Sequence, residues 1–126
     1  MEQPCPFCSP EPRRVVGENS LAIAIRDAFP VSPGHTLIVP RRHIASASEA
    51  TSEEFAAIWS LLMEARVGIE RELGPGGFNV GINDGPAAGQ TVMHMHVHLI
   101  PRFVGDCLDP RGGVRWVLPE KARYWD

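Results

Sequence analysis

The sequence predicts an α+β domain, an antiparallel sheet of about five strands packed against one long helix. Three observations carry that prediction. One stretch of helical periodicity opens at Thr51, several short apolar runs lie between proline and glycine turns, and one run carries histidine at every second position. With 126 residues the chain suits a single domain over 1–126, able to bury roughly two thirds of its unfolded surface without disulfide staples. No internal repeat, low-complexity tract or linker divides it.

Taken in order, residues 20–25 read as a short apolar strand, 29–34 (FPVSPG) as turn chemistry, and 35–39 as a second strand closed by Pro40. Thr51 with Glu54 three residues on is a capping box. Phe55, Ile58, Trp59, Leu62, Ala65 and Ile69 follow at helical spacing, a helix of about twenty residues whose stripe reads as core. Gly74, Pro75, Gly76 and Gly77 stop it. A third strand is expected over 78–83, a tight loop over 84–90 (DGPAAGQ), and a histidine strand over 91–100 ended by Pro101. Those two strands make a natural hairpin. Residues 105–113 read as loop, and 114–118 as a short fifth strand before a tail of aromatic and charged residues.

In the histidine strand His94, His96 and His98 alternate with Met93, Met95, Val97 and Leu99, so the imidazoles share one face and the apolar side chains face the helix. Side chains at i and i+2 stand ~6.6 Å apart and at i and i+4 ~13 Å apart. A metal with bonds of ~2.0–2.1 Å to nitrogen therefore cannot gather all three without a bulge. The three histidines divide the labour, and their face opens into a cleft.

Charge excludes some classes of function. Lys+Arg 12 against Asp+Glu 15 leaves a net charge of -3, and no basic cluster exceeds Arg41 and Arg42. That footprint is too weak for bulk nucleic-acid binding. Residues 1–10 carry neither a basic n-region nor an apolar h-region, which disfavours secretion, and no run is long enough to span a membrane. Cys5, Cys8 and Cys107 are an odd set, which favours a reducing compartment and a cytoplasmic protein. Cys5 and Cys8 have the CxxC spacing of half a tetrahedral zinc site. A redox reading is weaker, because the pair sits between Pro4 and Pro6 rather than between a strand and a helix. Cys107 has no evident partner.

A neutral imidazole is a nucleophile near pH 7 when one nitrogen is free and the other is held by an acceptor. Gly85 and Gly89 let the 84–90 loop aim N–H groups at an anion, and Gln90, Thr91 and Asn83 add side-chain donors. No GxxxxGK[ST] loop or magnesium-binding carboxylate cluster is present, which fits attack by a histidine better than two-metal hydrolysis.

Residues 79–102, NVGINDGPAAGQTVMHMHVHLIPR, closely resemble the signature of the histidine triad (HIT) family of nucleotide hydrolases and transferases, and 27–39, DAFPVSPGHTLIV, matches upstream. The resemblance implies a HIT-like fold in which His96 attacks the α-phosphate of a nucleotide and forms a nucleotidyl-enzyme that water cleaves. It implies that His98 contacts the phosphate and helps move protons, and that His35 lines the same site. By resemblance Asn83, Gly89, Gln90 and Thr91 surround the α-phosphate and Asp27 accepts from the ribose hydroxyls. It also implies that Cys5, Cys8, His43 and His94 hold a structural zinc outside the chemistry. The uridylyltransferase branch has glutamine at the third triad position, so His98 points to water as acceptor. The DGPAAGQT loop and the 101–106 ending look most like dinucleoside polyphosphate hydrolases, which release AMP from diadenosine tetraphosphate or triphosphate. A nucleoside phosphoramidase and a non-catalytic nucleotide-binding scaffold are the alternatives. The resemblance further implies a homodimer, with Trp116, Tyr124 and Trp125 as candidates for reaching the partner's pocket.

Overall fold

The computed structural model describes residues 4–126; the first three residues of the N-terminal stretch read above lie outside it. Five strands, β1 (Val15–Glu18), β2 (Ala22–Arg26), β3 (Thr36–Pro40), β4 (Gly77–Ile82) and β5 (Val97–Arg102), form one sheet in the order β1-β2-β3-β5-β4, every neighbour antiparallel. Helix α1 (Ser52–Leu73) covers one face and a short α2 (Pro119–Ala122) follows near the end of the chain.

Helix α1 starts and stops as its sequence dictates. The Thr51 side chain accepts from the Glu54 N–H while Glu54 accepts from the Thr51 N–H, and Gly74 ends the helix at φ 61. Glu54 also takes a two-pronged bond from Arg42, at 3.2 and 2.7 Å. Arg42 and then the Thr51 N–H hold that carboxyl down to about 2. The same guanidinium donates to Glu49 O at 2.8 Å, so the segment carrying His43 is fastened to the start of the helix.

The core between sheet and helix contains Ala22, Ala24 and Ile38, Met95, Val97 and Leu99, and Ile58, Leu61, Leu62 and Ile69. The expected apolar face of the histidine run is therefore the face that α1 covers. The helical stripe is only partly core, however. Phe55 and Trp59 are 42% and 58% exposed and, with Val80 and Ile82, border an open groove beside β4, one of the two edge strands of the sheet.

Two strand expectations need correction. Residues 114–118 form no strand: Gly112 and Gly113 at φ 94 and 46 turn the chain into a 3-10 turn, Gly113–Val117, and Pro119 follows. The fifth strand is β1, hidden in the sequence by its shortness and by Gly17. A Cβ at Gly17 would meet Leu61 Cδ1 at 3.3 Å, so glycine admits the helix. The histidine strand is shorter than read, since only Val97–Arg102 pairs and Pro101 lies inside it opposite Phe78. Upstream, Pro40 has no N–H to offer and its carbonyl accepts from His94 Nε2 at 2.8 Å, so a side chain stands where a ladder rung would be. The alternation survives, because Met95 N donates to Ile44 O and keeps the Met95 side chain inward; Met93 is 43% exposed.

Candidate active site and metal centre

Hydrogen bonds assign the tautomer of each triad histidine. His96 Nδ1 lies 2.8 Å from His94 O, and a carbonyl only accepts, so the proton is on Nδ1 and the Nε2 lone pair is free. The Val31 N–H donates to His35 Nδ1 at 3.2 Å, which puts the His35 proton on Nε2. That proton is given to His98 Nδ1 at 2.9 Å, leaving His98 with its own proton on Nε2. A free lone pair on His96 thus stands beside a free N–H on His98, with ring centroids 5.2 Å apart. Phe7 packs edge-on against His96 at 5.0 Å on the other side.

Burial, then the neighbouring His96 and His35, pushes His98 down to about 4, and burial also lowers His35. Both are neutral near pH 7. Because His98 ionises less readily folded than unfolded, the unfolded chain binds more protons between about pH 6.5 and 4. The His98 contribution is complete above that window and is lost as pH falls through it, by about 3 kcal/mol at most. His98→Gln keeps an acceptor for His35, so urea midpoints of this variant are expected to fall less steeply than wild type from pH 6.5 to 4.5. Parallel pH curves would refute the assignment.

The other residues expected at this site are placed as follows. Asn83 lies one residue beyond β4 and lines the same cleft as His98 and His35. Asp27 uses Oδ1 to accept from the Phe29 N–H at 2.8 Å, a turn bond, while Oδ2 stands 3.5 Å from His35 Nε2. Gly85 and Gly89, at φ 96 and 92, bracket the 3-10 turn Pro86–Ala88, and Gly89 and Thr91 are exposed on the loop. Gln90 is turned inward: its amide donates to Ala45 O and Val92 O and accepts from the Gly85 N–H, so it braces the loop.

The second cluster gathers Cys5, Cys8, His43 and His94, whose ligand atoms all lie within 4.8 Å of one another. His94 donates through Nε2 to Pro40 O, so its Nδ1 lone pair faces the cluster. Zinc bonds of ~2.0–2.1 Å to nitrogen and ~2.3 Å to sulfur set tetrahedral edges of about 3.3 Å between nitrogens and about 3.6 Å between nitrogen and sulfur. The cluster has His94 Nδ1 to His43 Nδ1 at 3.2 Å, and sulfur to nitrogen at 3.1, 3.5 and 3.6 Å. His43 turns Nδ1 toward the same point as His94 Nδ1, so a metal ion there would take a lone pair from each imidazole. The donor set therefore fits a closed Cys₂His₂ metal site, with no position left for a reacting water. Asp27, His35 and His98 also converge, but the His35 and His98 nitrogens between them are joined by a hydrogen bond, which leaves no metal-facing lone pair.

Sequence reasoning missed Phe7, whose signal lay in its place between the two cysteines. It also missed the Asn79, Arg102 and Asp106 brace. Arg102 donates to Asn79 Oδ1 at 2.7 Å, to Asp106 at 2.8 Å through two nitrogens, and to Cys107 Sγ at 3.2 Å. Asp106 raises the Arg102 guanidinium above its usual value, and Arg102 in turn holds the Asp106 carboxyl well below the usual carboxylate range. Of the aromatic residues near the end of the chain, Trp116 lines the cleft and Trp125 packs against Gly112 and Arg111.

Sheet, triad and cysteine-histidine cluster together define an α+β domain that presents histidines from β5 and the segment just before it, beside a glycine-rich loop. The chain belongs to the HIT family, whose HIT domain model matches residues 9–105. It is 39% identical over 99 residues to an uncharacterized 16.1 kDa HIT-like protein of Mycoplasma pneumoniae, covering 76% of this chain and 69% of that protein. It is 36% identical over 121 residues to an AP-4-A phosphorylase of Mycobacterium tuberculosis, covering 94% of this chain but 62% of that one. A zinc-bound histidine triad family protein of Mycobacterium smegmatis superposes with a TM-score of 0.75 at 33% identity, over 83% of this chain and 79% of that structure. HIT proteins bind nucleotides and are generally nucleotide hydrolases or transferases.

Proposed function

We propose that this protein is a nucleotide hydrolase that cleaves at the α-phosphate through a nucleotidyl-His96 intermediate and releases AMP. The observation that carries the reading is His96, held through Nδ1–H by His94 O with Nε2 left unbonded, beside the Nε2–H of His98. His96 Nε2 bonds to phosphorus as the bond to the leaving group breaks and its electron pair departs with that group. Positive charge then building on the imidazole is met at Nδ1–H by His94 O. His98 Nε2–H hydrogen-bonds the departing atom, held in orientation by His35. A polyphosphate leaves as its own anion; an amine takes up one proton from water, which returns to solvent when water opens the nucleotidyl-enzyme. Asn83, Gly89 and Thr91 surround the phosphate, Gln90 shapes their loop, and Asp27 accepts from the ribose.

Diadenosine tetraphosphate or triphosphate is the substrate proposed from the sequence, supported by the likeness to the AP-4-A phosphorylase. One observation favours the phosphoramidase reading: among the described residues no Arg or Lys lines the cleft beside His98. We assign zinc to the Cys5, Cys8, His43 and His94 site, where it ties the N-terminal segment to the sheet. The open β4 edge with exposed Phe55 and Trp59 supports a homodimer joined through β4 and α1. No helix is long and apolar enough to cross a membrane among the described residues; a cytoplasmic, reducing setting suits three free cysteines.

Product analysis tests the hydrolase reading. Wild type with diadenosine tetraphosphate, and separately with adenosine 5′-phosphoramidate, in buffer without added divalent metal, is expected to yield AMP from at least one. AMP bound but never produced would establish the scaffold alternative instead.

A further inference from the structure

We propose that Cys5 and Cys8 are a thiol oxidation site: a peroxide joins them in a disulfide, the metal site is lost, and residues 5–8 come away from the sheet with Phe7, which slows turnover at His96. The sulfur chemistry stands apart from the hydrolase reading above, while the effect on turnover rests on it.

Access and pairing come first. Both cysteines are free, Cys8 exposed and Cys5 half-buried, and their sulfurs lie within 4.8 Å of each other. Residues 6–9 are turn and bend, with no strand or helix to hold the backbone, so local adjustment can bring the two sulfurs together. Cys107 lies on the loop after β5 against Arg102 and is not part of this cluster. The three cysteines therefore contain one pair that oxidation can join within the chain. In a reducing compartment such a disulfide is transient, which suits a redox-responsive site and not a structural staple.

The step balances between the two thiolates and hydrogen peroxide. A cysteine that ligates a metal is already a thiolate. The Cys8 thiolate, the more exposed, attacks one peroxide oxygen; the O–O bond breaks, hydroxide leaves with the electron pair, and Cys8 becomes a sulfenic acid. The Cys5 thiolate then attacks that sulfur, the S–O bond breaks, and a second hydroxide leaves. Two electrons pass from sulfur to peroxide, and both hydroxides take protons from solvent. A disulfide offers no thiolate, so only His43 and His94 remain of the donor set.

The contacts of the loop decide the consequence. Cys5 and Cys8 reach His94 Nδ1 at 3.5 and 3.6 Å, and Cys8 reaches His43 Nδ1 at 3.1 Å. Between them Phe7 packs on Ile25, Leu37 and Val39 and edge-on to His96. A disulfide closes the loop on itself but ties it to nothing on the sheet. Phe7 alone must then hold a segment without regular structure, against the entropy gained when that segment is released. His94 keeps its bond to Pro40 O, and His96 keeps its bond to His94 O. The nucleophile thus stays oriented at Nδ1 and loses the ring packed against its side. Oxidation lowers turnover without unfolding the sheet.

The test treats zinc-loaded wild type with hydrogen peroxide and follows free zinc with a chromogenic chelator, the Cys5–Cys8 disulfide by peptide mass, and AMP production. The substrate is whichever of adenosine 5′-phosphoramidate and diadenosine tetraphosphate the reduced protein turns over. Zinc release, disulfide formation and a fall in turnover of about tenfold are expected to share one time course. A dithiol reductant with added zinc is expected to reverse all three. Cys107→Ser should respond as wild type does. Phe7→Ala should release zinc as readily, while its turnover, already lowered, changes by less than about twofold because the ring that carries the effect is gone. A wild type that holds its zinc while Cys107 oxidises would overturn the proposal and leave the hydrolase reading standing. So would zinc release with no disulfide, a disulfide with unchanged turnover, or a Phe7→Ala protein whose turnover still falls tenfold on oxidation. A reduced wild type that turns over neither substrate would overturn the hydrolase reading and the switch together.

Discussion

His96→Ala is expected to lose about four orders of magnitude or more in kcat with any substrate the wild type turns over, while AMP affinity changes by only a few fold. The asymmetry follows from what the side chain does in the free protein. Its Nδ1 proton is spent on His94 O and its Nε2 lone pair bonds to nothing among the described residues, so it contributes little to fold or ground-state binding. Removal leaves the His35 to His98 bond intact and opens a small gap beside Phe7. Rapid-quench measurement over one turnover separates the steps: wild type should accumulate or pass through an acid-labile nucleotidyl-protein, and the variant should form none. A variant that kept a tenth of wild-type kcat would remove His96 from the chemistry and point to direct attack by water.

The geometry of that nucleophile explains how much of the site was legible. Alternation alone placed His96 and His98 on one face and Met95, Val97 and Leu99 on the other, because period two holds for extended backbone even where no partner strand pairs. It could not show that pairing stops at Val97. That depends on Pro40, a residue distant in sequence whose missing N–H and occupied carbonyl exclude further rungs beside His94. Gln90 reads as a phosphate donor in a glycine-rich loop and proves to be its brace, because nothing local reveals that Ala45 O and Val92 O lie within reach of the amide. Helix α1 was legible in its caps, which are local bonds. Its stripe was less so: Phe55 and Trp59 fit the helical period as well as Ile58 and Leu62, and only the position of the sheet edge decides which are covered. Strand β1 and the C-terminal turn were exchanged for the same reason, since Val114, Trp116 and Val117 carry strand-forming side chains while two glycines fix the backbone otherwise.

Zinc removal should have the largest effect on stability. Residues 5–8 form no strand or helix, and the contacts that hold them run through Cys5, Cys8 and Phe7 to His43, His94 and His96. A metal that binds the folded state alone, at a free concentration a thousandfold above Kd, stabilises by about 4 kcal/mol. For a domain of this size each kcal/mol moves Tm by about 4 °C, so chelation is expected to lower Tm by about 16 °C. The sheet and α1 should remain, because their core of Leu62, Ile69, Met95 and Leu99 makes no use of the cluster. Atomic absorption should find one zinc per chain in wild type and almost none in Cys8→Ser, and the variant should melt near the chelated wild type with no further response to chelator. Release of residues 5–8 also takes Phe7 from the His96 ring, so a smaller fall in turnover is expected beside the fall in Tm, through the position of the nucleophile rather than through metal chemistry. A metal-free wild type with an unchanged Tm would remove zinc from the fold and leave the close approach of two imidazole nitrogens at 3.2 Å to a shared proton.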